Sequence, residues 1–448
     1  MKLLKVNLLN NKKIADLILL TWFATICTLG PNLLSKVFIP PSARLLFSFL
    51  LVIITALIFT KIIKLYKVSL DASAQLLLIS FLIYIIGLIV GSIADSSEGF
   101  SIRSFLSQIS RFYVFGIVFF SSRLKLVGSY MNFYSNFLFV LAFLSIILWF
   151  LVVANVISPI DTFTNTMGAG RERIYQNYGI GLMEANILAG EIKLPRAISF
   201  YDEPGTFGMM ILPALYWSIL VEKNLIKVFF FLLAVLLSFS VGTWLILVVF
   251  FIFAFLLSSQ KWKKINKKSI RLLFNSFLAG LLIMVAMFFV NLVSNLDSYN
   301  WITDYASRKL FSINPSNSEG AISRRVEDLF SLSQVLLNNP FGFGANSELQ
   351  EEIERFSVGI VGNIVRTGVL GLLSQLLTYL VLILMVIRSL QPIRKFNQQN
   401  QLKALSLSIL SFIIMSFQRI SFLSFFSGIF ICALFVLLYV ERSNKINQ

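Results

Sequence analysis

The residues best suited to chemistry stand together in Arg196-Ala-Ile-Ser-Phe-Tyr-Asp-Glu-Pro-Gly-Thr-Phe-Gly208. An arginine, two acids, a proline and two glycines close a polar stretch that opens straight into the apolar run beginning at Met209. Pro204 suits a helix start, where its missing N–H would have no intrahelical partner. Asp202 and Thr206 are spaced to cap that helix, and its first turn carries a positive dipole end that favours a nearby anion. The planar fork of Arg196 matches phosphate oxygens. Glu203, with Asp202 beside it, is the acid best placed to accept a hydroxyl proton. A charged loop folded onto the mouth of a membrane helix suits chemistry on a lipid-linked anion. The plainer alternative gives Arg196 to lipid headgroups and Glu203 to the helix dipole.

Three more arginines, Arg111, Arg366 and Arg419, lie in or against apolar runs. A charge in hydrocarbon is costly enough to make each a candidate for function, with snorkelling to headgroups as the alternative. A further polar region, residues 293–357, contains a candidate amphipathic helix over 320–338. Ile322, Val326, Leu329, Phe330, Leu336 and Leu337 fall on one face at helical spacing. Arg325 lies at the edge of that face beside Leu332 and Leu336. Arg324 points more nearly to the other side, where an i,i+4 pair with Asp328 would account for it. Such a helix is expected on the membrane surface or on the helix bundle. Asn339-Pro340-Phe-Gly-Phe-Gly344 then stops it and turns the chain.

The elements that must position these residues are membrane spans. Of 448 residues, 57% are hydrophobic and 13% charged, against roughly 25% charged in soluble chains. Mean hydropathy is +0.83. About twelve apolar runs are long enough to cross a bilayer, at 14–30, 43–60, 74–93, 104–120, 136–154, 206–221, 225–239, 241–257, 270–292, 358–387, 403–418 and 421–440. The expected fold is all-α, one transmembrane domain over 1–448. The runs at 225–239 and 241–257 are short and separated by Ser238-Phe-Ser-Val-Gly-Thr243, so they form a tight hairpin or a re-entrant pair. The basic start at Met1–Lys13 leads into an apolar run without a small-residue cleavage site, which reads as a retained membrane helix.

Lysine and arginine set the orientation. With the N-terminus cytoplasmic, every short inner segment is basic and both termini are inside. The polar regions 155–205 and 293–357 then fall outside as two long loops. Lys dominates the inner side, Lys223 and Lys227 included, as a diffuse anchor, while Arg dominates outside. The net charge of +17 therefore reads as attraction to anionic membrane lipid and an anionic outer substrate, with no nucleic acid. The chain has no His, which removes imidazole as base, shuttle or ligand. The outer loops hold no paired-carboxylate motif, so no metal and no cofactor is expected. Cys27 and Cys432 each lie within an apolar run, and no disulfide framework is expected.

These motifs give the chain a resemblance to the bacterial O-antigen polymerase and ligase superfamily. Arg196…Asp202-Glu203-Pro204 is similar to that family's arginine followed eight residues later by proline in an acidic turn at a helix entrance. Ser323-Arg324-Arg325…Asn339-Pro340-Phe-Gly-Phe-Gly344 resembles its Ser-Gly-Arg start, amphipathic helix and Pro/Gly turn. Counting back from Pro340, Arg325 matches the family arginine, and Leu329 stands where an aromatic is common. The ligase branch uses a His in the large outer loop, so the absence of His favours the polymerase, or Wzy-type, branch. The resemblance implies a glycosyltransferase of the bacterial cytoplasmic membrane with its active site facing outside. It would polymerise undecaprenyl-diphosphate-linked repeat units into O-antigen, capsule or exopolysaccharide, with a chain-length regulator as partner. Arg196, Arg325, and also Arg324, Arg111 and Arg366, would hold the diphosphate, with Glu203 or Asp202 as base. The alternative from another class is a flippase or transporter for the same lipid-linked sugar. Against it, the ionisable residues cluster at the outer end, and the sequence has no evident pair of matched interrupted helices.

Overall fold

The computed structural model of the protein describes residues 72–94, 127–167, 171–185, 195–201, 203–240, 321–344, 359–389 and 396–416, with most of 242–250. Its helices are α1 (Ala72–Ala94), α2 (Val127–Val153), α3 (Pro204–Trp217), α4 (Leu225–Leu237), α5 (Ala321–Asn338), α6 (Gly359–Ser389) and α7 (Phe396–Ser416). Among the described residues four stretches, Gln75–Ala94, Met131–Val153, Pro204–Glu222 and Val361–Ile387, are long and apolar enough to cross a membrane. The chain is mostly helical and multi-pass. The runs expected at 14–30, 43–60, 104–120, 270–292 and 421–440 lie outside the described residues. α1 and α6 match their expected spans within two residues at each end. α2 and α7 begin well before theirs, because a helix continues into polar sequence where hydropathy stops.

The all-α expectation needs correction in the first polar region. Strands β1 (Asp161–Met167), β2 (Arg171–Asn177), β3 (Leu182–Ala185) and β4 (Pro195–Ser199) form an antiparallel sheet in the order β1-β2-β3-β4. The alternation Thr162-Phe163-Thr164 supplies the period-2 pattern. Phe163 sits directly opposite Tyr175, with the rings stacked 5.4 Å apart. Tyr175, Leu182, Met183, Ala197 and Ile198 join the same buried core as Trp149 of α2 and Phe207 of α3. The indole N–H of Trp149 donates to the Pro195 carbonyl at 2.7 Å, fastening β4 to α2.

α2 ends in a helix-stop built on Asn155, whose φ of +56° is a conformation asparagine tolerates. Its N–H donates to Val152 O, and Val156 N–H to Leu151 O. α3 is continued by a π-helical turn, Ser218–Glu222, which closes on Lys223 at φ +55°. Asn224 then caps α4, its Oδ1 accepting from the N–H groups of Ile226 and Lys227. α4 has 13 residues, so it rises about 20 Å, well short of a ~30 Å hydrocarbon core. Phe239 has φ +48°, and the Trp244 indole N–H donates to Val235 O at 3.0 Å. The chain therefore folds back on itself here, as a tight hairpin. Ser238, Ser240 and Thr243 of the turn are buried, which is how irregular backbone is tolerated at membrane depth.

Side-chain pairs fix the helix directions. Ser80 bonds Ser374, and Gly91 lies against Arg366, so α1 and α6 are antiparallel. Trp217 bonds Asn132 near the start of α2, while β4, just before α3, meets Trp149 near its end. Tyr379 bonds Ser416 and Ser389 bonds Ser406, which sets α7 antiparallel to α6. Gly128 of α2 faces Gln401 of α7, and Tyr216 of α3 bonds Ser411. The C-terminal ends of α1 and α2 and the N-terminal ends of α3 and α6 thus share one end of the bundle.

Candidate functional site

The first motif is seated where α4 stops short. β4 descends into the space above that helix and carries Arg196 to its C-terminus. The Arg196 Nε–H donates to Ser238 O at 3.2 Å and its Nη2–H to Phe239 O at 3.0 Å. A cation at the carbonyl end of a helix complements the dipole as well as the orphan acceptors. Nη1 pairs with Glu184 Oε2 of β3 at 3.2 Å, directly across the sheet register from Arg196. The two side chains are 12% and 6% exposed. Arg196 therefore ties β3 and β4 to the α4 turn. Glu184 escaped the sequence reading; its signal was an acid inside the short apolar run Leu182-Met-Glu-Ala185.

Pro204 stands at the first turn of α3 as expected, but the capping assignment changes. Glu203, half-buried, holds the N-cap position in extended backbone without a capping side-chain bond. Thr206 is buried within the helix. Tyr201 and Phe207 stack at 5.8 Å beneath the turn. Gly208 presses against the hairpin: a Cβ there would lie 2.7 Å from Thr243 Oγ1. Asp202 and Arg111 lie outside the described residues.

The second motif docks at the same end of the bundle, into a break in α6. Gly368 has φ +61° and ψ −146° inside the helix, a region open essentially to glycine alone. The break frees the carbonyls of Val365 and Arg366, which accept from the N–H groups of Phe343 and Gly344 at 3.1 and 2.7 Å. Val369 N–H donates to Pro340 O at 2.8 Å. The Pro340–Gly344 turn thus replaces the missing helical bonds. A Cβ at Gly368 would lie 2.1 Å from Pro340 O, and one at Gly344 2.1 Å from the Ser92 nitrogen of α1. The turn is wedged between two spans.

α5 matches the expected helix, but its packed face is rotated. Leu332, Val335 and Leu336 pack against Val361, Ile364 and Val365 of α6, whereas Phe330 and Leu337 are 74% and 82% exposed. Position 325 shares the packed face by helical spacing and position 324 lies to its side; both side chains lie outside the described residues. Arg366 is half-buried in α6 beside the docked turn. The structure brings Arg196 with Glu203, and Arg366 with residues 340–344, to one end of the bundle.

The opposite end holds a charged cluster that the sequence reading treated as a diffuse anchor. Lys227 is 9% exposed. Its ammonium donates to Glu222 Oε2 at 2.7 Å, Asn136 Oδ1 at 2.6 Å and Ser135 Oγ at 3.2 Å. Ser218 donates to the same carboxylate oxygen. Among the described residues no group of acids or cysteines is arranged to hold a metal.

No known protein-family pattern matches the chain, and no curated protein is significantly similar to it.

Proposed function

We propose that the chain is a membrane glycosyltransferase that polymerises undecaprenyl-diphosphate-linked repeat units into O-antigen, capsule or exopolysaccharide at the outer face of the bacterial cytoplasmic membrane. What supports this reading is that Arg196 and Glu203 of the first motif and the Pro340–Gly344 turn of the second, far apart in sequence, lie at the same end of the bundle. In it, the growing glycan on undecaprenyl diphosphate is the donor and a hydroxyl of one lipid-linked unit is the acceptor. The new glycosidic bond forms as the lipid diphosphate leaves. Diphosphate departure needs positive charge, which Arg196, Arg325 and Arg366 supply in place of a metal. Arg196 spends three of its five N–H donors on Glu184, Ser238 and Phe239, which leaves one on each terminal nitrogen for a phosphate oxygen. Glu203 accepts the hydroxyl proton. Arg325→Lys keeps the charge and loses the fork, so it should cripple polymer formation while Arg324→Lys is milder. Wild-type polymer from Arg325→Lys cells sinks the assignment, as does purified enzyme that stops in EDTA and recovers with Mg²⁺.

A flippase or transporter for the same lipid is the second reading. Two helices are interrupted or short here: α6 is broken at Gly368 and α4 has only 13 residues. Near the middle of the α6 span, Gln375 is 2% exposed, and neither amide atom has a partner among the described residues. Broken helices and midplane polar groups serve transport. Cells lacking the gene separate the readings: loss of a polymerase leaves single repeat units outside, and loss of a flippase leaves them inside.

A further inference from the structure

Gln375 stands apart from the other polar groups of its span. Among the described residues it is the only buried side chain with polar atoms that lack a hydrogen bond, and both amide atoms lack one. The hydroxyls around it are settled within the protein. Ser80 Oγ donates to Ser374 O at 2.7 Å, and Ser374 Oγ returns a bond to Ser80 O at 2.6 Å. Thr378 Oγ1 donates to Ser374 O at 2.9 Å, and Thr367 Oγ1 to Asn363 O at 2.6 Å. Gln375 is 14 residues from Val361 and 12 from Ile387, the two ends of the span. At a helical rise it therefore lies about 20 Å from either end. Hydrocarbon at that depth offers no hydrogen bonds, and an amide left unpaired there is strongly unfavourable.

The face that carries Gln375 turns inward. Leu373, Leu376 and Leu380, on the other side of α6, are half exposed. Tyr379, Leu382 and Val386 share the side of Gln375 by helical spacing, and they join the core that includes α7. One turn along that side, Tyr379 Oη and Ser416 Oγ of α7 are bonded at 2.7 Å. One turn the other way stands Gly371. The three atoms nearest to a Cβ built there all belong to Thr367 and Asn363 of α6 itself, and the Thr367 hydroxyl lies where that Cβ would be. Between Gln375 and the break at Gly368, this side of α6 thus offers a residue without a side chain and then a hydroxyl.

We propose that Gln375 anchors a hydroxyl-binding site inside the span, between the break at Gly368 and the Tyr379–Ser416 pair. A carboxamide carries two N–H donors and a carbonyl acceptor. Its complement is a neutral group that both donates and accepts, which is a hydroxyl, either of water or of a sugar. Buried water is held by just such otherwise unsatisfied polar groups. The site does not depend on which functional reading is correct: ordered water fits both, and a sugar hydroxyl fits transport of the lipid-linked glycan.

The test uses full-length protein with Cys27 and Cys432 replaced by serine, reconstituted in vesicles in chloride-free buffer. Single cysteines are placed at Gln375→Cys and, as a control in the packed core of the same face, at Leu382→Cys. Each is exposed to silver ion, which is small enough to follow a narrow wet path, and the thiols left free are counted with a maleimide after denaturation. The expected result is that silver blocks the thiol at 375 several-fold faster than the thiol at 382. Equally slow block at both would mean that position 375 is dry or covered by protein, and would overturn the proposal. Gln375→Leu gives a second reading that needs no thiol. If the amide holds a hydroxyl, leucine leaves the thermal midpoint unchanged or lowers it. A clear rise would show that the amide was dry and unpaired, and would overturn the proposal as well. Excess N-acetylglucosamine distinguishes the two sources of the hydroxyl: a sugar site slows the reaction at 375, and a water site leaves its rate unchanged.

Discussion

At the scale of single residues, Arg196 carries the most. Its guanidinium is shared between Glu184 and two carbonyls at the end of α4. Removing one partner of a buried pair typically costs about 3–5 kcal/mol, because the other charge is left unpaired. Arg196→Met should therefore lower the thermal midpoint of the detergent-solubilised protein markedly. The double change Arg196→Met with Glu184→Leu should recover much of that loss. Polymer production separates the two roles: if Arg196 also binds diphosphate, the stabilised double variant stays inactive in cells. Lys227 invites the same experiment at the other end. Lys227→Met leaves Glu222 buried among Ser135 and Ser218 and should destabilise by a similar amount, while Lys227→Met with Glu222→Leu should be milder than the single change. A single change with no effect on unfolding would show that water already reaches the carboxylate.

Among the elements, the broken α6 and the truncated α4 decide the architecture of the motif-bearing end. Each leaves backbone groups without helical partners, and each is completed by a segment from a polar region. The Pro340–Gly344 turn completes α6, and β4 with Arg196 completes α4. Gly368 is the residue on which the first of these rests. Gly368→Ala meets both a strained φ and a contact 2.1 Å from Pro340 O, so the turn must be displaced. The expected outcome is rapid protease cleavage near residues 339–344 in folded protein, with α1 and α6 still inserted. A variant as resistant as wild type would mean that the break is not needed for docking. Gly208→Ala makes the corresponding test of the hairpin against α3, with a smaller effect expected because the obstacle is the Thr243 side chain and not backbone.

For the whole molecule, the helix directions make a definite topological statement. The ends that carry β4, Glu203 and residues 340–344 lie together, and the Lys227 cluster lies opposite. Single cysteines at Thr164 and Ser333, in a background without Cys27 and Cys432, should react with an impermeant maleimide added to intact cells. A cysteine at Asn224 should react only after the membrane is opened. Labelling of Asn224 and Thr164 from the same side would be incompatible with the bundle.

Much of this organisation was legible in the chain. Hydropathy marked α1 and α6 because a bilayer demands a long apolar run whatever packs around it. Pro204 and the turn at Asn339–Gly344 were readable because proline and glycine constrain their own backbone. Helical spacing located α5, since periodicity is local. Tertiary structure alone decided the rest. Which face of α5 packs depends on the surface α6 offers, so Leu332 and Leu336 went inward while Phe330 and Leu337 stayed out. The sheet at 161–199 is not legible from sequence because its strands are short and polar on one face, and antiparallel pairing is a contact between separate segments of the chain. The break at Gly368 sits in a run that reads as one uninterrupted span; only the Pro340–Gly344 turn, supplying the lost hydrogen bonds from outside the helix, makes the interruption stable. Lys227 looked like any other inner-face lysine, because the groups that bury it, Ser135, Asn136 and Glu222, come from two other helical segments. Residue types and local periodicity were therefore fixed along the chain, while partner choice for each polar group was settled by the fold, since a buried charge is determined by what surrounds it in space.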